Sequence, residues 1–223
     1  MKAINLEKLL PEDVPQGERI LWHGRPQWTC LFRRAYRGDV VAGYFAVLTA
    51  WNVFDAVVES GPGAAALSGA RTLEIGLGAL VLLALLAWAS ARTALFIITS
   101  RRVVMKIGVA LQVFYNLPFS QIKAARLRVE GDGSGDVTLT LSPGKRIGYL
   151  HLWPFARPFR FAHPEPTLRG LADPRHVGDI LGRALIAAAA ERGDMFVTGE
   201  DEDAVVSVSS PKTSMPAGNT VAA

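Results

Sequence analysis

The stretch Ile75–Ala91, IGLGALVLLALLAWASA, contains no charged residue and is bounded by Glu74 and Arg92. At about 1.5 Å rise per residue this run, with Leu73 and Thr93–Thr99 available to lengthen it, is long enough for a hydrocarbon layer of roughly 30 Å. A second run, Val40–Val58 (VVAGYFAVLTAWNVFDAVV), carries Asp55 as its single charge and Asn52 as its single amide. Asp55 lies near one end, where a carboxylate reaches headgroups or water at modest cost. Between the runs, Glu59–Glu74 is rich in Gly, Ala and Ser and contains Pro62, so it reads as a turn region. The pair predicts a two-helix transmembrane hairpin.

Its orientation follows from the flanking cations, because Lys and Arg close to a span are retained on the cytoplasmic side. Arg33, Arg34 and Arg37 precede the first run, Arg92, Arg101, Arg102 and Lys106 follow the second, and the connection offers only Arg71. Both termini are therefore expected in the cytoplasm, in a multi-pass protein. The opening residues MKAINLEKLLPEDVPQ contain acids and no long apolar region, which argues against a cleavable signal peptide.

The remainder of the 223 residues has room for one soluble domain after the second run. Net charge is +4 and the sequence pI about 9.5, but the cations crowd the membrane flanks, so the basic balance does not indicate nucleic acid. Cys30 is the only cysteine, which excludes an internal disulfide and a multi-cysteine zinc or iron–sulfur site within one chain. Beside Trp28, Leu31 and Phe32 it reads as a packed thiol.

Before the hairpin, Pro15–Pro26 (PQGERILWHGRP) gives one strand around Ile20–Trp22, leading into a Gly–Arg–Pro turn. Gln27–Arg37 mixes aromatics and arginines at helical spacing, with Trp28, Phe32 and Tyr36 on one face, and predicts an interfacial helix. After the hairpin the period changes to that of strands: Leu95–Ile98, Val103–Lys106, Val113–Leu117, Gln121–Glu130 and Val137–Leu141. Lys106, Gln112 and Asn116, with Gly108 and Pro118, make Val103–Phe119 a poor third span. Pro143–Pro166 reads as a strand plus an extended loop. Asp173–Pro174 then opens an amphipathic helix over His176–Ala190, with Val177, Ile180, Leu181, Ala184, Leu185 and Ala188 on its apolar side. From Gly193 the chain turns acidic and then Ser-, Pro- and Ala-rich, the composition of a disordered tail.

These segments predict an α+β membrane protein. Residues 1–38 form an N-terminal cytoplasmic segment with an interfacial helix, and 39–93 the transmembrane helical hairpin. Residues 94–192 form a cytoplasmic pleckstrin-homology-like antiparallel β domain with a C-terminal helix, and 193–223 the tail. Composition equally admits other α+β arrangements for the domain.

Little in the chain points to chemistry. His23, His151, His163 and His176 show no metal-ligand spacing with one another or with acids, so neither a metal nor a cofactor site is expected. Neither span offers a histidine to a tetrapyrrole metal. Gly131–Gly135 (GDGSG) precedes a strand and lacks the lysine of a phosphate loop, and Ser120 lacks an elbow context, so no enzyme is expected and no catalytic residue is assigned. The most distinctive soluble stretch is Tyr149–Phe161 (YLHLWPFARPFRF), whose Trp153, Arg157 and Arg160 suit a boundary that is apolar on one side and polar on the other. Arg101, Arg102, Arg126 and Arg128 complete the set of expected partner or headgroup contacts.

Four stretches, Gly17–Pro26 (GERILWHGRP), Ile98–Gly108 (ITSRRVVMKIG), Asn116–Ile122 (NLPFSQI) and Tyr149–Pro158 (YLHLWPFARP), together resemble the PuhB family of photosynthetic complex assembly proteins of purple bacteria. The first three also resemble the broader bacterial pleckstrin-homology-like membrane proteins, and the fourth points to PuhB. The resemblance covers about Pro15–Glu191. It implies a non-catalytic factor of the bacterial inner (intracytoplasmic) membrane that assists assembly of the reaction centre and core light-harvesting complex by transient contact with their newly inserted polypeptides. Membrane lipid would be a further partner, and a homodimer is left open. The rival reading is a membrane-tethered lipid- or protein-binding module without a dedicated photosynthetic partner.

Overall fold

A computed structural model of the chain describes residues 17–109, 111–142, 152–156, 165–193, 195–197 and 204–209. Strand β1 (Ile20–Gly24) leads to a helical turn, α1 (Trp28–Cys30), which widens into a π-helix over Leu31–Ala35. Two long helices follow, α2 (Gly38–Ser60) and α3 (Pro62–Thr93). Both are long and apolar enough to cross a membrane.

The turn region anticipated over Glu59–Glu74 shrinks to Gly61. That glycine has φ +81°, a left-handed value costly for other residues, and Pro62 occupies the first helical turn, where its missing N–H costs nothing. Beyond it the Ala-rich sequence favours continued helix. Ala65, Gly69, Thr72 and Gly76 recur at four- and three-residue spacing and are buried. A Cβ at Gly69 would lie 2.6 Å from Val53, and one at Gly76 2.8 Å from the Phe45 ring, so these two glycines let the helix backbones approach. Asn52 Nδ2 donates to Thr72 Oγ1 at 2.9 Å, which gives the one amide of α2 a partner inside the pair. Gly43 and Gly78, by contrast, face open space.

The strands form two antiparallel sheets. One has the order β1-β2-β3-β4, with β2 (Leu95–Thr99), β3 (Arg102–Ile107) and β4 (Val113–Pro118). The other has the order β7-β6-β5-β9-β8, built from β5 (Ile122–Val129), β6 (Gly135–Leu141), β7 (Thr167–Leu171), β8 (Met195–Val197) and β9 (Ala204–Ser209). Helix α4 (Pro174–Ala190) begins as anticipated: Asp173 Oδ1 accepts from the His176 N–H at 3.0 Å, with Pro174 in the first turn. Its buried Val177, Leu181, Ala184 and Leu185 join a single core with Phe96, Ile98 and Met105 of the first sheet and Ala125, Val137, Leu139 and Leu168 of the second. Phe96 meets Phe155 edge to face, with ring centroids 5.4 Å apart. Two sheets and one helix thus share one apolar interior.

Several expectations change. The N-terminal segment is not separate from the β domain, because β1 pairs with β2 (Trp22↔Ile98, Gly24↔Phe96) and Leu31 is fully buried in the common core. The helix over Gln27–Arg37 is no simple interfacial stripe: its π-turn, closed by Tyr36 N–H to Leu31 O at 3.0 Å, rotates successive side chains. Trp28 is left 46% exposed while Tyr36 falls to 9%. The tail beyond Gly193 supplies two strands, and β9 pairs with β5 (Ala124↔Ser207, Ala125↔Val206), satisfying backbone groups that β5 would otherwise leave open. Residues 210–223 of the expected tail lie outside the described residues. Strand β7 was not anticipated.

Candidate functional site

The distinctive aromatic segment divides within a few residues. Leu152, Phe155 and Ala156 are buried, whereas Trp153 is 47% exposed. Its indole packs edge to face on Tyr36, at 5.0 Å between ring centroids. Tyr36 is in turn fixed to the end of α3, its hydroxyl lying 2.7 Å from Ser90 Oγ and 3.4 Å from the Leu86 carbonyl. Burial raises the Tyr36 phenol above its ordinary pKa, so it remains protonated at neutral pH. Trp153 therefore stands at the foot of the helical pair, supported by a side chain bonded to α3. Arg157 and Arg160 lie outside the described residues.

An arginine that sequence reasoning missed holds this segment in place. Arg169, on β7, donates from Nη1 to Pro154 O at 2.9 Å and from Nη2 to Ala156 O at 3.0 Å, with Asp136 Oδ2 3.8 Å from its Nε. Asp136 also accepts from the Gly170 N–H at 2.8 Å. A guanidinium serving two backbone carbonyls fixes the position of the intervening chain. Nothing local in Thr167–Leu171 reveals this role, since both carbonyls come from a distant loop.

The four arginines expected as partner or headgroup contacts divide between the two sheets. Arg101 and Arg102 sit at the β2–β3 turn of the first sheet, at the end of β2 away from α3, while Arg126 and Arg128 lie on β5 of the second sheet. Arg102 is committed to Glu18, with Nε to Oε1 at 2.8 Å and Nη2 to Oε2 at 2.7 Å. Thr99 Oγ1 donates to the same carboxylate at 2.5 Å. The Arg102 hydrogen bonds hold the Glu18 carboxyl below its usual range, against the opposing effect of its burial. This pair ties the chain ahead of β1 to the β2–β3 turn and is structural. Arg128 lies 2.9 Å from Glu130, and Arg101 and Arg126 remain exposed. The pairing of β9 with Arg126 (Arg126↔Ala204) also places that arginine on an interior strand.

Cys30 is buried, and its thiol lies 3.4 Å from both Gln27 Oε1 and Ser134 Oγ, either of which can accept its one S–H. Arg34 Nη2 donates to the same Ser134 at 2.9 Å and to Asp132 at 3.3 Å, binding the π-helix to the β5–β6 turn. Ser134 hydrogen bonds lower the Asp132 carboxyl pKa, with a smaller contribution from Arg34. The GDGSG stretch is thus a structural turn. His23 and His176 are exposed, and His151 and His163 lie outside the described residues. Among the described residues no group of His, Cys, Asp or Glu is placed to hold a metal ion.

Comparison with known proteins agrees with this architecture. The bacterial PH domain family matches residues 45–184, a range that takes in most of the helical pair as well as β2–β7 and much of α4. An uncharacterised 23.7 kDa protein in the puhA 5′ region of Rhodobacter capsulatus is 36% identical over 178 residues, covering 78% of this chain and 83% of the relative. No solved structure matches the chain significantly. With more than half of its length matched, the chain belongs to the bacterial PH domain family.

Proposed function

We propose that the protein is a non-catalytic, membrane-anchored assembly factor for the photosynthetic reaction centre and core light-harvesting complex. In this reading α2 and α3 cross the bacterial inner membrane as a hairpin with both termini cytoplasmic, and the surface around Trp153 makes transient contact with newly inserted subunits. The observation that carries the reading is the foot of the hairpin. The chain passes from Thr93 through Ala94 into β2, and Tyr36 bridges α3 to Trp153, which keeps the exposed indole close to the end of α3, the side on which subunits would leave the membrane in this reading.

Two further observations support it. Val47, Trp51, Phe54, Leu82, Leu85 and Trp88 stand exposed on the helical pair, a large apolar surface that lipid would cover. The similarity to a protein of the puhA 5′ region favours a photosynthetic role over a generic tether. In a strain lacking the gene, core-complex absorbance should fall while transcripts for the complex subunits persist. A W153A strain should show the same defect in weaker form. Unchanged core absorbance in the deletion strain would overturn the assignment.

A further inference from the structure

A cavity of about 530 Å³ opens at the foot of the hairpin, with neither Trp153 nor the arginines discussed above in its lining. It is lined by Arg25, Gln27, Trp28, Thr29, Trp88 and Arg92, with Pro26 and Ala91. One wall is the connection from β1 into α1, held in place by the Gln27 N–H donating to Gly170 O at 2.8 Å and by the buried Pro26. The other wall is the last turns of α3, where the Arg92 guanidinium lies 5.2 Å from the centre of the Trp88 ring. Trp28 and Trp88 are each about half exposed. Neither Arg25 nor Arg92 has a carboxylate partner among the described residues, in contrast to Arg34, Arg102, Arg128 and Arg169.

We propose that this cavity binds the phosphate headgroup of an anionic phospholipid between Arg25 and Arg92. The assignment rests on the reading of α2 and α3 as a membrane hairpin. Guanidinium groups match phosphate oxygens with directed hydrogen bonds, and two without acidic partners leave a local positive charge for the ligand to neutralise. Indoles prefer the depth at which headgroups meet acyl chains, and Trp28 and Trp88 would flank the glycerol region there. Thr29 and Gln27 add neutral hydrogen-bonding groups suited to a polar, uncharged headgroup such as glycerol. A choline headgroup would instead bring its cation towards two arginines, which favours the anionic lipid.

The test uses the full chain, purified in mild detergent and examined by native mass spectrometry during titration with phosphatidylglycerol or phosphatidylcholine. The wild type should retain one phosphatidylglycerol at an about tenfold lower lipid concentration than phosphatidylcholine, because two basic groups act on the anionic headgroup. R25Q/R92Q should lose that preference, R25K/R92K should keep part of it, and R183Q, altered at an exposed position of α4 outside the cavity lining, should keep all of it. All variants change exposed side chains, and matching thermal melts establish that each is folded. Equal retention of both lipids by the wild type, or an undiminished preference in R25Q/R92Q, would overturn the proposal. Displacement of the lipid by millimolar inorganic phosphate would assign the cavity to soluble phosphate and overturn it as well. Carbonate washing of native membranes probes the underlying hairpin separately: wild type and R25Q/R92Q should both stay in the pellet, and release of the wild type would overturn the membrane reading itself.

Discussion

The helical pair and the β body place similar side chains in opposite surroundings. In the body, Phe96, Phe119, Phe155 and Leu139 are buried within a shared interior. In the pair, Trp51, Phe54 and Val58 face outward, and the contact between helices is made by Ala65, Gly69, Thr72 and Gly76. Small residues inside and large apolar residues outside reverse the arrangement water imposes, and they fit packing in lipid, where close backbone approach replaces the hydrophobic drive. With the pair in the membrane, as proposed, one chain would satisfy two solvents, the change occurring within a residue or two of Ala94.

The contrast can be broken most sharply in the body. Phe96→Ala should destabilise the purified protein by about 3–5 kcal/mol, read from denaturant midpoints, because it removes a fully buried ring and its partner contact with Phe155. Leu85→Arg, on the exposed side of α3, should cost about 2.5–3.5 kcal/mol of membrane insertion and deplete the membrane fraction. In a water-exposed helix the same change would be nearly silent, so undiminished membrane recovery would remove the contrast.

A smaller effect concerns Glu18. Its carboxyl is held below the ordinary value of 4.5 by Arg102, so its stabilising contribution is complete above that value and is lost as pH falls through the lower folded-state value. Thermal stability of the wild type should therefore decline more steeply below pH 4.5 than that of Glu18→Gln, which has no such carboxylate to protonate; parallel pH profiles would count against the pair. Least of all, Asn52→Val should weaken the hairpin by about 0.6 kcal/mol in detergent-unfolding titrations, the usual worth of an interhelical hydrogen bond.

Local pattern made much of this architecture readable. The uncharged runs mark α2 and α3, β-branched runs mark β2 and β3, alternation marks β5 and β6, and Asp173–Pro174 marks the start of α4. What escaped depends on contacts between distant segments. Strand β7 is buried at all five positions and contains both Arg169 and a glycine at φ +71°, so it shows no alternation and no uniform apolarity. The polar composition around β8 and β9 resembles that of a tail, and only pairing with β5 gives it structure. At the foot of the hairpin, Trp153 stood out as a boundary residue, but its support did not. Tyr36, Ser90 and Arg169 come from three separate stretches, and the π-turn that directs Tyr36 inward leaves no mark in the spacing of the aromatics. The arginines drew attention by charge alone, whereas Glu18 and Glu130, which engage two of them, decide their roles.

The pairing of β1 with β2 has a consequence for biogenesis. The ribosome makes β1 before α2 and α3 and β2 after them, so in the proposed membrane topology the first sheet has to wait until the second helix has brought the chain back to its starting side. A nascent chain whose second helix failed to return would strand the two halves of the sheet on opposite faces of the bilayer, with Gly24 unable to pair with Phe96. Closure of the sheet would therefore act as a proofreading step, completing the domain only in molecules whose topology is correct.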